Sequence, residues 1–470
     1  MDDALIGKLT GKASLRLHQP SIRDDALVMD GLWEGTFCGY ITTFQDGDIF
    51  RMYYHGGDTD IDDLIAEKEP SIYGAYAESA DGIHWTKPSL GLYEVLGSRE
   101  NSVVWLGETD VRKGVHGFAP FKDENPDCEP DAIYKAVGAT MGGEPGLYGM
   151  KSADGIHWSL MQDEPIMKGD SYDSQNLVFW DTLRGEYRAY VRHFSEGQYS
   201  GCRGIKTAVS KDFLNWPERE WLIYPDAPEE QLYTNQIRPY YRAPHIFLGF
   251  PSRYVERPWS PTIDALPELE HRRRRASVTE RYGAAVTDGL FMASRDGRTF
   301  KRWDEAFLRP GLRTEGSWTY GDCYQAWGIL ETASSLPGAP NELSFYAVEH
   351  YWRKPSALFR RYTLRIDGFV SAHAPLVGGE LITAPITFTG SSLHLNVSTS
   401  AGGSMRVEML DADDHTITGF SLDDCFDIVG DTLDYTVRWS NGTDVSALAG
   451  KPVKLRFSLK DADLYSYVFK

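Results

Sequence analysis

The sequence predicts an all-β protein, a five-bladed β-propeller followed by a β-sandwich domain, on three observations. The phrase SADGIHW occurs twice, at Ser79 to Trp85 and Ser152 to Trp158, with looser copies SKDFLNW at Ser210 to Trp216 and SRDGRTF at Ser294 to Phe300. Repeats spaced by tens of residues signal an array of similar small units. Each copy follows a strand-like run (IYGAYAES, LYGMKS, IKTAVS, LFMAS), and Asp-Gly suits a tight turn because glycine accepts positive φ. Each copy is therefore expected to join two outer strands of a small antiparallel sheet, and several such sheets imply a propeller. After Phe369 the pattern changes to alternating strands with short polar turns, which reads as a separate sandwich.

Blade one is drawn from TFCGYITTF, IFRMYYHG, IYGAYAES and the strand entered at Trp85, with an acidic insertion from Asp58 to Glu69. Blade two runs from HGFAPFKD at His116 through AIYKAVGAT and LYGMKS to Trp158. Blade three is QNLVFW, EYRAYVRHF, GIKTAVS and the strand at Trp216; blade four is NQIRPYY, HIFLGFP, GLFMAS and the strand at Phe300. A long insertion from Arg253 to Thr287 interrupts blade four, and its PTIDALPELEHRRRR has the acid-first, base-last order of a helix. Long insertions of this kind serve as lids or binding loops. The cluster Arg272 to Arg275 reads as a solvated helix face paired with Glu268, Glu270 and Glu280. Blade five lacks the repeat and is assembled from YQAWGILE, ELSFYAVEHY and LFRRYTLRI. LITAPITFTG, SLHLNVSTS, SMRVEML, YTVRWS, VKLRFSLK and DLYSYVFK supply the sandwich, so the expected domains are residues 1–372 and 373–470.

Composition narrows the function. Net charge is −20 with no long acidic run, which argues against a nucleic-acid or anionic-membrane partner. The five cysteines are far apart, with neither a disulfide framework nor metal-like spacing. No apolar stretch reaches the roughly 18 residues of a membrane helix. The start MDDALIGKLTGK lacks a secretory-signal pattern, which leaves a cytoplasmic location or prior removal of a signal. The sequence implies no cofactor; the scattered acids define no Ca²⁺ site, and homo-oligomerisation through the sandwich stays open.

The layout resembles the clan of five-bladed propeller glycoside hydrolases, in which family 32 joins a propeller to a β-sandwich and families 43, 117 and 130 have related propellers. Family 32 opens its first blade with a WMNDPNG-type sequence carrying the nucleophile; the corresponding stretch here is Leu32-Trp33-Glu34-Gly35. At the third blade its Arg-Asp-Pro corresponds to Asp173-Ser174-Gln175-Asn176, and at the fourth its Glu-Cys-Pro lies close to Glu229 and Glu230. The resemblance implies a glycoside hydrolase acting on an oligo- or polysaccharide, in an exo manner because a propeller pocket is blind-ended.

Glycoside hydrolysis needs two carboxyl groups across the scissile bond, one donating a proton and the other attacking the anomeric carbon or activating water. Acids at the entrances of first strands are the candidates: Glu34 as nucleophile or base, Asp173 as base or transition-state stabiliser, and Glu230 as general acid. Substrate contacts are expected from His116, Gln175, Asn176, Asn235, Arg253, Asp322 and Glu349; each has a bland alternative as a cap, a structural histidine or a salt bridge. Asp81, Asp154, Asp212 and Asp296 belong to the repeated turns, which resemble the Asp-box of sialidases, and are read as structural. Two alternatives remain: a glycoside phosphorylase, with Arg238, His245 and Arg253 near phosphate, and a carbohydrate-binding propeller without catalysis.

Overall fold

The computed structural model describes every residue except 1–2, 58–60, 62–64, 67–70, 109–111, 141–144, 198–199 and 354–356. The acidic insertion Asp58 to Glu69 thus lies largely outside the described residues. The protein is all-β, with short helices confined mainly to one insertion. Its chain forms two compact units, residues 20–333 with 343–363, and residues 1–19 with 334–342 and 364–470.

The larger unit is a succession of antiparallel meanders. The first is Gly39–Asp46, Ile49–Gly56, Tyr73–Ser79 and Val103–Trp105; the second starts at His116–Lys122, the third at Leu177–Asp181 and the fourth at Arg238–Tyr240. The fifth pairs Leu330–Thr332, Glu342–Glu349 and Leu358–Arg365, and then takes its outer strand from the other end of the sequence, Ser21–Val28. No local pattern announces that strand: SIRDDALV is polar and mostly exposed. It is held by pairs such as Leu358 with Val28 and by the Arg360–Asp25 ion pair.

The four repeats follow the third strands of the first four meanders. In each, one Asp oxygen accepts two backbone N–H groups, as Asp81 does from Ile83 and His84 (both 2.8 Å) and Asp296 from Arg298 and Thr299 (both 2.7 Å). The preceding Ser accepts the N–H of the left-handed residue, Gly82, Gly155 or Gly297. In the third copy that position is Phe213, at φ 68°, and its fully buried ring packs on Phe121 and Tyr187. Core packing there offsets a conformation that glycine adopts without strain.

The first strands of the five meanders lie against one another. Trp327 N–H donates to Ile41 O (2.7 Å) and Thr43 N–H to Trp327 O (2.8 Å), joining the first and fifth. Gln175 Nε2 donates to Tyr40 O and Thr42 Oγ1 (both 3.0 Å), and its Oε1 accepts from Gln236 Nε2 (2.6 Å). Gln236 Nε2 also donates to Gln325 O (2.8 Å). A Cβ on Gly117 would lie 2.3 Å from Ser174 O, so only glycine lets the second strand approach the third this closely.

In the smaller unit a seven-stranded sheet surrounds one apolar core that includes the fully buried Trp439. Segments expected as separate strands are continuous: SLHLNVSTS and SMRVEML form Leu393–Leu410, and VKLRFSLK and DLYSYVFK form Lys454–Phe469. The apparent breaks are register shifts within a pair, as between Thr399 and Ser404. Ile6–Gly11 and Ser14–Leu17 also belong here, pairing with Gly379–Thr383 and Val370–Ala374 rather than with the meanders.

Candidate functional site

At the leading end of the inner strands, Asp173 is half-exposed, with its side chain 52% accessible. Its Oδ1 lies 3.3 Å from His116 Nε2 and its Oδ2 lies 3.5 Å from Arg192 Nη2. Both neighbours are buried, and Asn176 holds Arg192 by accepting its backbone N–H (3.0 Å).

An aromatic wall surrounds this group. Tyr40 contacts His55 and His116 and stacks on Tyr324, which stacks on Tyr233 at 5.2 Å. Tyr320 donates to Tyr233 Oη (3.1 Å), Tyr351 packs on Tyr324 and Trp352, and the Arg192 guanidinium sits 5.2 Å from the Tyr233 ring centre. Burial raises the pKa of Tyr40, Tyr320, Tyr324 and Tyr351 well above the phenol value, so these rings present neutral hydroxyls. Burial likewise lowers His116, partly countered by Asp173, and lowers His55 further, reinforced by His116.

Two features set this end apart. Non-glycine residues in the left-handed region cluster here: Tyr40, Gln236, Cys323 and Trp352 have φ between 48° and 61°. Such residues cost about 1–3 kcal/mol each and collect at functional sites. Buried polar atoms also lack hydrogen-bond partners among the described residues: both His55 nitrogens, His116 Nδ1, Arg192 Nη2 and Tyr324 Oη. An unmet buried donor or acceptor costs about 1–3 kcal/mol.

The insertion in the fourth meander forms helices Pro261–Asp264, Leu269–Val278 and Glu280–Ala284. Half of its arginine cluster is solvated, Arg273 and Arg274 being exposed, and half is not. Arg272 and Arg275 are fully buried; Arg272 donates to Pro267 O (2.8 Å) and Trp318 O, and Arg275 to Tyr351 O. With Tyr282 packed against Tyr320 and Trp352, the insertion supports the aromatic wall.

Among the predicted residues, only Asp173 and His116 meet at this end of the strands, Asp173 half-exposed and His116 buried beside it. Glu34 is fully buried, accepting from Gly31 N (2.7 Å) and Tyr54 Oη (2.5 Å) and pairing with Lys87 Nζ at 2.7 Å. Glu230 pairs with Arg253 (2.8 Å) and Arg302 (2.9 Å), so both oxygens are engaged. Arg253, expected on substrate, is gripped by Asp288 through two bonds of 2.9 and 2.6 Å. Gln175 and Asn176 tie backbone segments together, and Asn235 donates to Tyr190 O (3.4 Å). Glu349 accepts from Arg360 (2.9 Å) and Tyr362 (2.8 Å). Asp322 lies behind the wall, accepting from Thr319 N (3.0 Å) and Tyr351 N (3.3 Å); burial pushes its pKa up to about 7. Arg192 and the tyrosine wall escaped the sequence reading, because aromatic residues inside strands look the same whether they fill a core or line a site.

No protein-family model matches this chain, and no curated protein does. Solved structures similar to it include an N-acetylgalactosamine deacetylase from F. plautii in complex with blood group B trisaccharide (13% identity, 74% of this chain and 94% of that chain, TM-score 0.45). A glycoside hydrolase family 43 arabinoxylan arabinofuranohydrolase from Bacillus subtilis is similar at 10% identity over 94% of this chain and 97% of its own, with TM-score 0.43. An endo-arabinase from Bacteroides thetaiotaomicron is similar at 8% identity over 73% and 98%, with TM-score 0.41. At these scores the likeness assigns no role to any residue.

Proposed function

We propose that the chain is a carbohydrate-active enzyme that cleaves a glycosidic bond of an oligo- or polysaccharide at Asp173. In this reading the five meanders are the blades of a propeller, the smaller unit is a sandwich, and Asp173 stands at the mouth of the central channel. The observation that carries it is Asp173, a half-exposed carboxylate between His116 and Arg192 and beside a wall of neutral phenols. Ring faces offer stacking surfaces for the C–H faces of a sugar, and the unmet polar atoms of His55, His116 and Tyr324 offer partners for its hydroxyls. Asp173 then moves the proton at the reacting centre, either from an attacking water or to the leaving oxygen.

The engagement of Glu34 and Glu230 elsewhere favours a second reading, phosphorolysis. Phosphate attacks the anomeric carbon as the glycosidic C–O bond breaks, and the leaving oxygen takes a proton from Asp173. The sugar phosphate forms without a second protein carboxylate, and Arg192 supplies positive charge nearby. The experiment is turnover of a panel of aryl glycosides and oligosaccharides, with and without phosphate, by the wild type and Asp173→Asn. Phosphate-dependent release of sugar phosphate selects the second reading. Saturable sugar binding without turnover selects a binding module, and unchanged turnover by Asp173→Asn removes the assignment.

A further inference from the structure

The far end of the same inner strands opens into a second cavity, of about 330 Å³, that the reaction above does not use. This lies within the roughly 300–1,000 Å³ of small-molecule sites. Tyr40 borders one end and Thr42 the other, two residues along one strand, and Gln175 bonds to both. Phe44, Phe121, Phe179 and Trp327 give the far cavity apolar walls. The Trp327 ring is fixed by its Nε1–H donating to Ile237 O (3.0 Å).

Arg238 lines this cavity with its guanidinium 6.0 Å from the Trp327 ring centre. Among the described residues it has no ion pair and no hydrogen bond from its side chain; Glu124, also on the cavity wall, acts on it only at longer range. Burial pulls its pKa below the ordinary arginine value. The neighbouring Lys122 is already neutralised by Asp46 at 2.6 Å. A desolvated guanidinium without a counter-ion, above an aromatic floor, is a receptor for a planar anion. Glu124 disfavours a doubly charged group such as a phosphate monoester.

We propose that this cavity binds a small organic monocarboxylate with an apolar body, its carboxylate taken by Arg238 and its body lying against Phe44, Phe121 and Trp327. The test is titration of the full chain with 3-phenylpropionate, followed by calorimetry and by tryptophan fluorescence. Saturable binding is expected, with affinity at least about tenfold weaker for 3-phenylpropanamide and for the Arg238→Gln variant. Absence of saturation, equal affinity for acid and amide, or tighter binding of phenyl phosphate overturns the proposal. The acid–amide comparison on the wild type decides the matter even if Arg238→Gln fails to fold. Glycoside turnover enters none of these readouts.

Discussion

The two ends of the inner strands are built from the same strands and differ in what they leave unresolved. At the leading end, left-handed Tyr40, Gln236 and Cys323 and several unmet polar atoms crowd around Asp173. At the far end none of the residues lining the cavity is left-handed, and the buried charge without a close partner there is Arg238. Strain and unmet polarity at one end mark a place organised for directional contacts with a reacting ligand; a cavity with aromatic walls and a buried guanidinium marks a place suited to holding a molecule.

The largest effect is expected at Asp173. Asp173→Asn should lower kcat by about 10²–10⁴-fold on the best glycoside found, while Arg238→Gln leaves kcat within about twofold. Equal losses in both variants break the distinction between the ends. Next comes Glu34, whose role is structural: Glu34→Ala takes the buried acceptor from Gly31 N and Tyr54 Oη and one of two carboxylates from Lys87, and should cost about 3–5 kcal/mol in urea unfolding. A variant as stable as the wild type but inactive would return Glu34 to the catalytic set.

Asp322 sharpens the picture through pH. Its folded pKa of about 7 lies above the ordinary carboxyl value because burial favours the neutral form. The stability this group contributes is therefore full below about pH 4 and lost as pH rises to about 7, by about 2–4 kcal/mol. Thermal midpoints of wild type and Asp322→Asn across that window check it: the difference between them should change with pH and level off above 7. The smallest effect belongs to the repeated turns. Asp296→Ala removes an acceptor for two backbone N–H groups and should cost about 1 kcal/mol by chemical denaturation, with kcat unchanged.

The parts of this molecule legible in the sequence are those encoded locally. Alternation, Asp-Gly turns and strand-like runs report on neighbours a few residues apart, and the repeats fall where the meanders turn. Asp173 and His116 were legible because both stand at the starts of inner strands. The fates of Glu34, Glu230 and Arg253 were not, since each is decided by a partner from another element: Lys87, Arg302 and Asp288. Arg272 and Arg275 mislead for the same reason, because a run of four arginines looks solvated until carbonyls from distant loops are seen to accept from it. The strand Ser21–Val28 is the extreme case, with partners at least 330 residues away.

That strand ties synthesis to assembly. Ser21–Val28 precedes every other strand of the larger unit yet forms the outer rung of the sheet built from Leu330 to Arg365, so that sheet is complete only when translation has passed Arg365. Until then the nascent protein carries two unmatched edges, one at each extremity of its β layers, open to pairing with a neighbouring molecule. Replacing Leu27 and Val28 by proline, with Ile6–Gly11 and Ser14–Leu17 left in place, would leave the Leu358–Arg365 edge open, and association through that strand would be its signature.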